Sequence, residues 1–144
     1  MVKDGMKTKQ VLIVEDNITL AKILVRYLIR QGLQATTTET VAGAMQLLSD
    51  HRFDALVVDI QLRDQCGLDL AWLLNDSSIP VVMMTADDTQ IYREQACEAG
   101  ASALLEKPFS LTLFSRVLNC LITGHRCLPK CTIEPLLRAR LQLH

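Results

Sequence analysis

Val11-Leu12-Ile13-Val14-Glu15-Asp16-Asn17 is an apolar run rich in β-branched residues that stops on two acids and an amide. Unbroken apolarity over so short a span suits a strand covered on both faces, as in a parallel sheet. The pattern recurs downstream. Ala55-Leu56-Val57-Val58 ends on Asp59, Val81-Val82-Met83-Met84 follows Pro80 and ends on Thr85, and Ala103-Leu104-Leu105 runs into Glu106-Lys107-Pro108. Leu33 to Thr37 reads as a further strand, richer in threonine and nearer the sheet edge.

Helical spacing fills the intervals. Ile18, Ala21, Leu24, Val25 and Leu28 share one face, and Gly32 stops that helix. Val41, Ala44, Met45, Leu47 and Leu48 mark a second helix; Leu68, Ala71, Trp72 and Leu74, after Gly67, mark a third. Ile91 to Ala99 has a weak apolar face and is closed by Gly100, and Leu111, Phe114, Val117, Leu118 and Leu121 form the last. Five strand–helix repeats predict an α/β fold: a five-stranded parallel sheet, doubly wound and flavodoxin-like, with five helices on both faces.

The bulk properties exclude several classes. At 144 residues and a formal net charge of -1, the chain fits one domain and carries no basic field for nucleic acid. No apolar run approaches the roughly 20 residues of a membrane span, and the polar start Met1-Val2-Lys3-Asp4 lacks a signal-peptide core, so a cytoplasmic protein is expected. Five cysteines, an odd number, argue against a disulfide framework. Cys127 and Cys131 with His125 are too few for a zinc site and read as free thiols in a tail. After Thr123 a linker leads to a short basic helix from Thr132 to Leu143.

In open parallel sheets, ligands gather beyond the carboxyl ends of the strands. The residues at those ends are Glu15, Asp16, Asp59, Thr85 and Lys107. Each alone has an ordinary explanation: acids favour helix N-terminal turns, Asp and Thr are common in turns and caps, and a lysine before proline is usually solvated. Together, in this order, they point to phosphoryl chemistry. Three carboxylates repel until a cation joins them, and hard oxygen donors favour Mg²⁺. A carboxylate can serve as the nucleophile, while a lysine and a hydroxyl meet the transferring oxygens.

These residues carry a resemblance. Val11 to Asn17, Leu56-Val57-Val58-Asp59-Ile60 with Leu62 and Gly67, Val81 to Ala86, Gly100-Ala101 and Lys107-Pro108-Phe109 together resemble the receiver domains of bacterial response regulators and hybrid sensor kinases. The likeness covers Lys9 to Ile122, with residues 1–8 as an N-terminal extension and 123–144 as linker and C-terminal helix. It implies that Asp59 accepts phosphate from a histidine kinase or histidine phosphotransfer protein. It implies Mg²⁺ held by Asp16, Asp59 and the Gln61 backbone carbonyl, with Glu15 acting through water. Thr85 would turn toward the phosphoryl oxygens, with room left by Ala86, and Lys107 would pair with the phosphoryl group beside a cis Lys107-Pro108 bond. Gln61 and Asp87 would tune dephosphorylation. The implied output is altered binding of a downstream protein, or a homodimer through the fourth helix, last strand and fifth helix, without direct nucleic-acid or membrane contact.

The sequence departs from that family in three places: Leu104 stands where an aromatic is usual, Arg63 where a proline is common, and Gln65-Cys66 before the loop glycine. Two other functions compete. A metal-dependent aspartyl-phosphate phosphatase needs a second acid two residues after the nucleophile, where this chain has Gln61. A receiver-like interaction module that never takes phosphate usually loses an acid, the acceptor or the lysine, and all are present here.

Overall fold

The computed structural model describes residues 7–87 and 90–124. The extension before Lys7, the tail with Cys127 and Cys131, and the helix expected from Thr132 lie outside them.

Five strands form one parallel sheet in the order β2-β1-β3-β4-β5. They are β1 (Gln10–Val14), β2 (Gln34–Thr38), β3 (Ala55–Asp59), β4 (Val81–Thr85) and β5 (Ala103–Glu106). The helices between and after them are α1 (Ile18–Arg30), α2 (Val41–Asp50), α3 (Leu68–Leu73), α4 (Gln90–Glu98) and α5 (Leu111–Ile122).

Alternation along the central strands divides the core in two, because successive side chains leave opposite faces. Val11, Ile13, Val57, Met84 and Leu105 pack against Leu24 and Leu28 of α1 and Phe114, Val117 and Leu118 of α5. Leu12, Val14, Val58, Met83 and Leu104 pack on the other face against residues of α2, α3 and α4. Every residue of β3 and β4 is buried, as their unbroken apolar runs require, whereas β2 at the edge is polar and partly exposed.

Local chemistry starts the helices. Asn17, Thr40 and Ser110 each accept a backbone N–H of the first turn, from Leu20, Gly43 and Leu113. Gly32 and Gly100 adopt positive φ where α1 and α4 end, a conformation that glycine enters without the steric penalty of a side chain.

Two readings need correction. The second strand runs from Gln34 to Thr38, one residue later than expected, because it pairs with β1 from Gln10↔Gln34 to Val14↔Thr38. Trp72 does not enter the core: it is 50% exposed, and Leu70 is buried instead. A six-residue helix has fewer than two turns, so its inward face follows from how its start is seated. Gly67 does that seating, since a Cβ there would lie 2.0 Å from the Asp59 carbonyl oxygen. Cys66, the cysteine of the loop before α3, is a free, exposed thiol. No helix among the described residues is long and apolar enough to cross a membrane.

Candidate functional site

Parallel strands that each end on a polar residue deliver those residues to one edge of the sheet. Glu15 and Asp16 follow β1, Asp59 closes β3, Thr85 closes β4, and Lys107 follows β5. β1 is hydrogen-bonded to β3, β3 to β4 and β4 to β5, so residues distant in sequence become neighbours.

Lys107 is the electrostatic hub. Its Nζ donates to Glu15 Oε1 at 2.5 Å and to Asp59 Oδ2 at 2.8 Å. The second oxygen of each carboxylate accepts a backbone N–H two residues on, Asn17 N–H to Glu15 Oε2 and Gln61 N–H to Asp59 Oδ1, both at 3.0 Å. Glu15 and Asp59 are thus fixed by the same device, a charged partner on one side and a tight turn on the other. Both are almost wholly buried, whereas the side chain of Asp16 is 20% exposed.

One carboxylate oxygen from each of Glu15, Asp16 and Asp59 lies within 4.8 Å of the others. An octahedral cation with bonds of about 2.1 Å spans trans ligands of about 4.2 Å, so three hard oxygen donors at this spacing fit Mg²⁺. The structure does not bring the Gln61 side chain into this group. That side chain reaches across to accept the Ala86 N–H at 3.5 Å, linking the loop after β3 to the loop after β4.

Thr85 is buried at the same edge, but its hydroxyl is engaged by its own loop. It donates to the Asp87 carbonyl and accepts the Asp87 N–H, each at 3.0 Å. The Lys107-Pro108 bond is cis. Leu104 is buried beside Met83, Ala96 and Ala99, as part of the seat of α4.

Sequence reasoning missed the ties of the loop after β3. Asp64 accepts the N–H groups of Val41 and Ala42 at 3.2 and 3.3 Å, capping α2 from another loop. Weak burial opposes ionisation of Asp64, but these hydrogen bonds outweigh it and hold the carboxyl below its ordinary range. Arg63 lies 3.8 Å from Asp16 and 4.0 Å from Glu39. No periodicity marks such contacts; the one available signal was that Arg63-Asp64 occupies a short loop leaving the same strand end as Asp59.

Burial pushes the Glu15 carboxyl above its ordinary value, against the opposing pull of Lys107, and the nearby Asp59 charge adds to the rise. For Lys107, burial disfavours the ammonium, yet the hydrogen bonds to Asp59 and Glu15 prevail and raise it. The two raised groups act in different pH windows. The Glu15 contribution is fully present below about 4.5 and lost as pH rises through the higher folded value, and the Lys107 contribution is lost only above 10.5. In magnesium-free buffer, urea unfolding of Glu15→Gln should therefore lose part of the stability decline that the parent chain shows from mildly acidic to neutral pH. Superimposable pH profiles for the two chains would contradict this assignment.

The family model for the response regulator receiver domain matches residues 11–119. Swarming motility regulation protein RssB of Serratia marcescens is 36% identical over 110 residues, covering 74% of this chain and 50% of that protein. Polar-differentiation response regulator DivK of Brucella ovis is 32% identical over 116 residues, covering 78% of this chain and 94% of that protein. This chain therefore spans about half the length of RssB, and of some other curated relatives, but nearly all of DivK. Among solved structures, a response regulator receiver protein from Burkholderia phymatum superposes with TM-score 0.74 at 29% identity, covering 81% of this chain and 96% of that one. The non-phosphorylated HemR receiver domain from Leptospira biflexa gives TM-score 0.74 at 29% identity, with 80% and 94% covered. An acidic edge organised by one lysine, a doubly wound parallel sheet and these matches lead to one conclusion: the chain belongs to the response regulator receiver domain family of two-component signalling.

Proposed function

We propose that this chain is a phosphorylation-controlled switch in which Asp59 takes a phosphoryl group from a histidine kinase or histidine phosphotransfer protein. The observation that carries the reading is Lys107 held by both Asp59 and Glu15, with Asp16 alongside, at the carboxyl edge of the sheet. An Asp59 carboxylate oxygen forms a bond to phosphorus as the bond from phosphorus to the donor imidazole nitrogen breaks, and the imidazole leaves with the electron pair. Gln61 N–H orients the carboxylate through Oδ1. Lys107 moves from Asp59 Oδ2 to a phosphoryl oxygen, so its charge follows the transferred negative charge. Asp16, Asp59 and the Gln61 carbonyl, with Glu15 acting through water, would hold Mg²⁺, which would supply neutralisation of the clustered negative charge. The Thr85 hydroxyl gives up Asp87 to reach the phosphoryl group, and Ala86 leaves space for it.

Thr85 and Leu104 lie on neighbouring strands that support α4 and α5, so the proposed output is altered binding of a downstream protein, or homodimerisation, at the face of α4, β5 and α5. With Leu104 already packed in the core, backbone and loop shifts carry that signal. The reading includes a cytoplasmic location and no direct contact with nucleic acid. Its alternative is a receiver-like module whose binding is indifferent to phosphate.

The test is treatment with acetyl phosphate and Mg²⁺, reduction of the acyl phosphate by borohydride, and peptide mapping, together with spectra of the beryllofluoride-bound form. A label on Asp59 and shifts extending into Ile91 to Leu105 are expected. No label on Asp59 would sink the phosphoacceptor assignment, and shifts confined to the pocket would sink the transmitted switch.

A further inference from the structure

The acidic edge holds three carboxylates, and Lys107 bonds only two of them, Glu15 and Asp59. The third, Asp16, faces a different cation. Arg63 Nε lies 3.8 Å from Asp16 Oδ2, while Nη2 of the same guanidinium lies 4.0 Å from Glu39 Oε1. The flat fork therefore stands between a carboxylate of the pocket and a carboxylate outside it.

Both separations exceed a direct hydrogen bond of about 2.7–3.2 Å, so the attraction is coulombic and no tight bond has to break for the side chain to move. Arg63 is 73% exposed, which leaves it free to swing, and Glu39 is 53% exposed and can receive it in solvent. The backbone beneath it is less free. The next residue, Asp64, is bound to the first two N–H groups of α2. A mobile cation on an anchored stem is thus held within reach of Asp16 whether or not it is paired there.

We propose that Arg63 is a positioning residue that acts as a tethered counter-ion, pairing with Asp16 when no divalent cation is bound and withdrawing toward Glu39 when one is. The inference rests on the metal reading given under Proposed function and deepens it. Two cations on one carboxylate repel, so Arg63 competes with the metal for Asp16. It thereby sets the affinity of the site and reduces the carboxylate repulsion of the metal-free pocket.

Calorimetric titration of the full chain with MgCl₂, at low and high KCl, tests this without any phosphoryl transfer. Arg63→Ala and Arg63→Gln should both bind Mg²⁺ about two- to fivefold more tightly than the parent, the range expected for an exposed ion pair removed from competition. Glu39→Gln should shift affinity the other way, because Arg63 then loses its alternative partner. The differences should shrink at about 1 M salt, where the screening length falls to roughly 3 Å. Parent and Arg63 variants that bind Mg²⁺ equally would overturn the role of Arg63 while leaving the metal site intact. Weaker binding by the Arg63 variants would do the same, as would a gain undiminished by salt. Absence of binding in every variant would overturn both the metal reading and this one. Binding gained only on loss of Arg63 would be the strongest support.

Discussion

Asp59→Asn should reduce phosphoryl uptake from acetyl phosphate from one group per chain to none, while leaving the fold intact. An amide is not a nucleophile for phosphorus under these conditions, and no second carboxylate of the pocket can replace Asp59. Glu15 is bound to Lys107 through one oxygen and to Asn17 through the other, and Asp16 comes from the same turn, so neither occupies the end of β3. The substitution has a second consequence that a simple loss of activity would not show. It removes one of three clustered negative charges while keeping the shape of the side chain. In magnesium-free buffer the variant should melt no lower than the parent, and its melting temperature should respond less to added Mg²⁺, because less repulsion is left for the metal to relieve. Intact-mass analysis measures the first effect and thermal unfolding with and without Mg²⁺ the second. Equal phosphate incorporation in Asp59→Asn would show that the acceptor lies elsewhere.

Lys107→Ala should have the largest effect on stability. The ammonium is the shared partner of two carboxylates whose side chains are 0% and 5% exposed, so its removal leaves two buried charges facing each other. Removing one member of a buried ion pair costs about 3–5 kcal/mol, and access of water to the site, where Lys107 is itself 19% exposed, brings the expectation to roughly 3 kcal/mol. Urea unfolding near neutral pH measures this. Two changes should recover much of the loss: Glu15→Gln in the same chain, which deletes one of the stranded charges, and Mg²⁺, which replaces the missing cation. The loss should also shrink toward mildly acidic pH, since the raised Glu15 carboxyl takes up its proton there. A Lys107→Ala chain as stable as the parent in magnesium-free buffer would mean that the contacts to Glu15 and Asp59 do not hold the edge together.

Much of this arrangement was legible in the sequence because its physics is local. Buried parallel strands require unbroken apolar runs, and Val11 to Val14, Ala55 to Val58 and Val81 to Met84 have no other economical reading. The strand ends then named the polar residues of the edge before any packing was known. What escaped depends on distances that spacing does not encode. The inward turn of α3 rests on the contact between Gly67 and the Asp59 carbonyl, so the helical pattern alone selected Trp72 over Leu70. The cap on α2 comes from Asp64, 23 residues after Val41, and the counter-ion of Asp16 comes from a loop after another strand. The resting direction of Thr85 is likewise invisible in sequence, because a hydroxyl facing its own loop and one facing the pocket are the same residue.

Trp72 gives this molecule a native optical reporter. It is the single tryptophan of the chain, half exposed on α3, and the helix that carries it begins against the carbonyl of Asp59. Its emission will therefore respond to displacement of that helix rather than to direct contact with whatever enters the pocket. Because the indole is half in water, motion inward and motion outward should move the emission maximum in opposite directions. Steady-state fluorescence on the unlabelled chain can thus follow the rate at which α3 moves relative to the rate at which Asp59 is modified.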